Sequence, residues 1–375
     1  TSFHRHHMTN GEGGRHPEES RIDYVIDRVN TMGTVWLGLT LGCTQCHTHK
    51  FDPVSHQDYY SLFAFFNSID EDGRAGGGAK PFLRYKSKQT GHLLREAEKA
   101  IDLRRVHEMQ QLEAAKTDFL PWLKRQLIST QDGFKGWHVA KPSLVTSAEG
   151  TTLVIEPDGM VRATGLNPNQ DEYRSRFSSE DLGNPGTHLR RVTGLRLEVF
   201  PHSTHTDGKL SRGRTGEFIL TDVKLQVQKQ GKSQVIDLEF SKAIADVEKK
   251  VAGRNYGKVN DTLDDDPRNG WTTETHDPLK SHVAIYALRE PLILTKNDEL
   301  IFVMLQRSTR GDANIGQFRI SFSDQPGSAV RSLDPMPLER LAQAKPQSIP
   351  EIDAELKTVL LNQLLDDHDR YQASK

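Results

Sequence analysis

Cysteine is nearly absent from this chain: two residues, Cys43 and Cys46, among 375. Two thiols that close together cannot build a disulfide framework. Long apolar runs are missing as well. The nearest approach, Val25 to Cys43, is broken by Asp27, Arg28 and Asn30, so no helix of this sequence should span a bilayer. Nor is there an excess of charge of either sign. Lys and Arg total 49 against 51 Asp and Glu, a formal charge of −2, which excludes a general nucleic-acid or anionic-membrane binder. No Gly-rich phosphate loop, nucleophile elbow or His-Glu-x-x-His string occurs, and no internal repeat. What remains is a polar but charge-balanced chain, 35% hydrophobic and 27% charged, unlike a disordered one. Its length suggests two or three domains. Thr1 follows neither an initiator Met nor a leader pattern, so we expect a piece of a longer protein.

Residues 1 to about 70 stand apart. Seven of the 16 histidines (His4, His6, His7, His16, His47, His49 and His56) fall in the first 56 positions. Pro17 with Glu18 and Glu19 marks a helix start, and Ile22, Val25, Ile26 and Val29 follow at helical spacing. Ser55 to Asp58 reads as a capping box ahead of Tyr59 to Phe66, where five aromatics in eight residues predict a helix buried over much of its surface. Trp36, Phe63, Phe65 and Phe66 are expected in the core. Gly73 to Gly78 with Pro81 predicts a break. Strong helix formers then run from about Thr90 to Gln126, more like a packed hairpin or spacer than a coiled coil. From Gly136 to about Ser323 the pattern becomes short period-two runs, at 195–199, 218–227, 283–286, 300–305 and 318–322, separated by turn-rich stretches. Many strands without alternating helices predict an antiparallel β-sandwich of jelly-roll type. Pro350 to Lys375 returns to helix.

The chemistry concentrates in Cys43-Thr44-Gln45-Cys46-His47. This C-x-x-C-H string is the attachment signature of c-type haem: two thiols on one turn can add to the two vinyl groups of a haem, and the next imidazole then lies under the iron as proximal ligand. Zinc on Cys43, Cys46, His47 and His49 is a rival, although four ligands within seven residues can hardly close a tetrahedron. A dithiol redox site would want an adjacent βαβ pattern, which is absent. Incidental cysteines complete the alternatives.

Asn10 to Gly14, Asp27-Arg28-Val29-Asn30-Thr31, Val35 to Cys43, Cys46 to Pro53 and Asp58 to Asn67 together closely resemble the planctomycete-type cytochrome c domain proteins. That resemblance covers nearly all of residues 1–72, and the strands near 194–222 and 315–321 are similar to the β-rich insert those proteins carry. It implies an exported protein of the periplasm or cell envelope with covalently attached haem c, metal-ligated by His47. It also implies His7 as a candidate distal ligand, since the family pattern has a His before the Glu-Gly-Gly stretch. Met8, Met32 and His56 are further candidates for that position, and His49 lies too close to His47 to cross the haem plane.

The expected architecture is α+β and multidomain: a helical haem c segment at 1–72, a Gly-rich linker and helical spacer at 73–132, a sandwich at 133–327 and a helical tail at 328–375. The leading function is electron transfer to an unidentified redox partner, with no catalytic constellation found. The alternative is a scaffold or binding module, in which the sandwich recognises a polysaccharide or a protein. Trp137, Tyr256 and Trp271 could then stack on sugar rings, although core positions suit them better. Asp264-Asp265-Asp266 could offer oxygens to calcium, but reads more simply as a solvated acidic turn.

Overall fold

The computed structural model describes residues 3–76, 78–80, 85, 87–184, 187–249 and 255–375. Gly77 and Pro81 of the expected break, and Pro185 and Gly186 in one of the turn-rich stretches between the expected strands, lie outside the described residues. The protein is α+β and falls into two compact units, Thr1–Ala100 and Ile101–Lys375.

The first unit is helical. Helix α1 (Pro17–Met32) begins at the predicted proline and buries Tyr24, Val25, Arg28 and Val29. One π-turn, Gly33–Leu37, continues it until Gly38, at φ 67°, reverses the chain. A 3-10 turn, Leu41–Gln45, then leads to helix α2 (His56–Asn67). The capping box forms as read, with Ser55 Oγ accepting from the Asp58 N–H and the Asp58 carboxylate accepting from the Ser55 N–H. The small core joins Val25, Val29, Leu41, Tyr59 and Phe66.

Burial of the aromatic segment is less complete than the composition suggested. Phe66 is buried, but Phe65 is 73% exposed and Trp36 65% exposed. The reason is geometric: the 12-residue helix is covered where it meets α1 and the Leu41–Gln45 turn and is open elsewhere, and the π-turn directs Val35, Trp36 and Leu37 to the surface.

Helix α3 (Lys88–Thr117) is mostly exposed, including Leu93, Ile101, Leu103, Val106 and Met109. In the second unit α4 (Phe119–Ser129) packs with α5 (Pro337–Ala344) and α6 (Ala354–Asp367) around Leu123, Leu338, Leu341, Ile352, Leu356 and Leu360. A short α7 (Asp369–Ser374) follows. Part of the expected spacer and the expected tail are thus one helical layer.

Two antiparallel sheets make the sandwich. One runs in the order 240–245, 282–293, 191–199, 317–323, 161–165, 151–155, with 138–140 added on 317–323; the other runs 235–238, 222–228, 299–306, 171–178, 144–147. Successive strands switch repeatedly between sheets, as in a jelly roll. Alternation is clean in Asp171–Ser178, where Tyr173, Ser175 and Phe177 point inward. It vanishes in Glu299–Gln306, because Ile301, Val303 and Leu305 are buried on the other face as well. The predicted strand at 218–227 begins only at Asp222. Phe218 and Leu220 are core residues of an irregular segment, with Leu220 exchanging backbone hydrogen bonds with Trp271. Among the described residues no helix is long and apolar enough to cross a membrane.

Candidate functional site

Cys43 and Cys46 sit on and just after the Leu41–Gln45 turn, both exposed and unbonded. The turn is fixed from three sides. Leu41 docks on Gly33, where a Cβ would come within 2.6 Å of the Leu41 Cγ. Thr44 is fully buried and its Oγ1 donates to Leu41 O. From α2, His56 Nδ1 donates to Thr44 O (2.9 Å) and the Tyr60 hydroxyl donates to Gln45 O (3.2 Å). One helical turn therefore grips two carbonyls of the cysteine segment.

His47 is exposed, with Nδ1 2.8 Å from Thr48 O. A carbonyl only accepts, so Nδ1 carries the proton and the lone pair falls on Nε2, the tautomer in which a histidine ligates metal. His49 is used otherwise. Its Nδ1 accepts the Asp52 N–H at 2.9 Å and closes the 49–54 turn. An Asp52 carboxylate oxygen lies 3.1 Å from the same nitrogen, but the backbone N–H can only donate and so decides the tautomer.

His7 is placed differently from what a free distal ligand requires. Its Nδ1 lies 2.6 Å from Met8 O and its Nε2 3.2 Å from a Glu71 carboxylate oxygen, with both side chains almost wholly buried. Both nitrogens face acceptors, so His7 could reach an iron only by giving up Glu71. The same Glu71 carboxylate takes two hydrogen bonds from the buried Arg28 guanidinium, at 2.5 and 2.7 Å, while Arg28 Nε donates to His4 O. Burial, the first cause, and Arg28 together lower the pKa of His4.

Among the described residues, two polar atoms near the turn have no hydrogen-bond partner: Asn30 Oδ1, beside Gly42, and the buried hydroxyl of Tyr59. Burial, followed by the Tyr60 and Cys46 fields, raises the Tyr59 pKa. Sequence reasoning assigned no role to Asn30, Tyr59 or Tyr60. All three lie within quoted family-like strings, yet nothing in a one-dimensional string shows that Asn30 lies beside Gly42 or that Tyr60 bonds Gln45 O.

The donors are not gathered as a structural zinc site would require. Among the described residues, no group of three or more His, Cys, Asp or Glu side chains is placed to hold a metal ion. Two exposed thiols and an imidazole with its lone pair on Nε2 are the residue types that would hold a haem c.

In the sandwich, Trp271 is fully buried with Nε1 donating to Val247 O, and Tyr256 is buried with its hydroxyl donating to Pro267 O. Trp137 packs on a cluster of Ala287, Val330 and Met336. Buried as they are, Trp271 and Tyr256 have no face open to a sugar, whereas Trp137 is only partly buried. The acidic turn is saturated from within and by cations: Asp265 pairs with Lys224 and Arg307, Asp266 with Arg268, and Asp264 accepts from Asn269.

Residues 1–71 match the PSCyt2 family, described as a protein of unknown function (DUF1549), a planctomycete-type cytochrome c-related domain family. No curated protein matches the chain.

Proposed function

We propose that Cys43 and Cys46 carry one haem c through thioether bonds, that His47 is its proximal ligand, and that the chain is an electron-transfer protein of the cell envelope, exported to where such haem is attached. The observation that carries this reading is the His47 tautomer, with Nε2 left as the lone-pair donor one residue after the second of two exposed thiols. When bound, the haem supplies a one-electron iron couple. The chain supplies the rest. His56 and Tyr60 hold the thiol-bearing turn against α2, Thr48 O orients the imidazole, and Val35, Trp36 and Leu37 offer apolar surface on the segment leading into the site. His7 belongs in this reading to the Glu71 network rather than to the iron. His56, whose Nδ1 proton likewise leaves the lone pair on Nε2, would be the second imidazole available to the group.

The test is co-expression with a c-type haem maturation system in an oxidising compartment, followed by a pyridine haemochrome spectrum and the mass of the denatured protein. A gain of one haem, lost in the Cys43→Ala/Cys46→Ala double variant, supports the proposal. A bare mass from folded protein overturns it.

A further inference from the structure

A large cavity lies far in sequence from the cysteines, between the helical layer and one end of the sandwich. It measures about 700 Å³ and is walled by Trp122 of α4, Gln363 and Asp367 of α6, Arg190 and Arg191, and the turn at Asp324. That volume is in the range of small-ligand sites.

Its polar groups are already oriented. Gln363 Nε2 donates to Gln325 Oε1 (2.9 Å), and Gln325 Nε2 donates to Asp324 Oδ1 (2.7 Å), a directed chain of planar amides ending on a carboxylate. Arg191 donates from Nε and Nη2 to Asp324 O, at 3.1 and 2.7 Å, and pairs through Nη1 with Asp367. Gln363 is 2% exposed, yet its Oε1 has no hydrogen-bond partner among the described residues. A buried amide oxygen left without a donor is uncommon in a finished interior. The Arg190 side chain is exposed and has no partner among the described residues.

The charges balance, two arginines against two aspartates, so the cavity gives a charged guest no net attraction. Beside them stands Trp122, half-buried and stacked on Phe119 at 6.1 Å between ring centroids. An indole next to planar amides and fixed Arg and Asp groups suits a neutral molecule with an apolar face and a hydroxyl rim.

We propose that this cavity binds a neutral saccharide unit, with Trp122 against its C–H face and Gln126 and Arg190 at its hydroxyls. The site is separate from the three aromatics that the sequence offered for this role, of which Tyr256 and Trp271 are core and Trp137 packs on Ala287, Val330 and Met336. No residue of Thr1–Ala100 takes part, so the proposal stands or falls independently of the haem.

The experiment uses the full chain and saturation-transfer NMR with five neutral disaccharides (cellobiose, xylobiose, mannobiose, lactose and chitobiose), with galacturonic acid and glucosamine as charged controls. At least one neutral disaccharide should receive saturation. Arg190→Ala and Gln126→Ala, both surface changes, should weaken its binding at least fivefold while the melting temperature stays unchanged. Trp122→Phe should retain binding and Trp122→Leu should lose it; if the latter fails to fold, the two surface variants still decide. Silence from all five neutral sugars, preference for a charged control, or binding unaltered by Arg190→Ala and Gln126→Ala would each overturn the proposal.

Discussion

At the scale of single residues, a few side chains each have one physical task. If Nε2 of His47 is the axial ligand, His47→Ala should keep the haem mass, since both thiols remain, but lose the low-spin absorption of the wild type. His7→Ala should leave that spectrum unchanged, because His7 is engaged with Glu71 and Met8 O. Visible spectra of the two variants separate these roles. Glu71 is the more consequential buried group. Truncating it leaves the Arg28 guanidinium uncompensated in the interior, a loss of roughly 3–5 kcal/mol for a buried pair broken on one side. Glu71→Ala should therefore appear as faster amide exchange at Val25 and Val29 of α1 in the full chain, whereas exchange unaltered at those amides would refute a structural role for the pair.

At the scale of elements, the junction of α1 with the cysteine turn is the sensitive point. Leu41 rests on Gly33, and a methyl there would overlap its Cγ. Overpacking of this kind costs about 1–3 kcal/mol, and here the displacement is passed directly to Cys43 two residues on. Gly33→Ala should thus reduce the fraction of chains that carry haem, measured as the ratio of loaded to bare mass. The Cβ introduced by Gly33→Ser would meet the same atoms, and only glycine leaves the space. Helix α3 offers a contrast: with most of its apolar side chains exposed, substitutions such as Met109→Gln have little packing to lose.

At the scale of the molecule, two buried carboxylates give opposing pH dependences. Burial, reinforced by Asp265, pushes Asp222 up to about 7. The folded state then holds more protons than the unfolded state between the ordinary value of 3.8 and 7, so this group's contribution to stability falls as pH rises through that window. Asp298 is the reverse. Burial raises its pKa, but Lys229 and the backbone N–H groups of Thr295 and Gln230 outweigh it and hold the carboxyl at about 2. Its contribution is present above 3.8 and is lost as pH falls toward 2. Asp222→Asn should accordingly raise the melting temperature at pH 8 and change it far less at pH 4. An equal shift at both pH values would show that Asp222 does not titrate in this window.

The sequence by itself determined the local features whose causes are local: the proline start of α1, the Ser55 capping box, the period-two strands and the C-x-x-C-H string. Tertiary structure decided everything that depends on what lies opposite. It showed Phe65 exposed on the uncovered face of α2 and Trp36 turned to the surface by the π-turn, and it buried Tyr256 and Trp271, the latter paired through its backbone with Leu220 of an irregular segment. It joined His7 to Glu71, 64 positions apart in the chain, and brought α4 against α6 to enclose a cavity beside the sandwich. Spacing along the chain encodes which face of an element is apolar; which groups then meet across the interior follows only from packing in three dimensions.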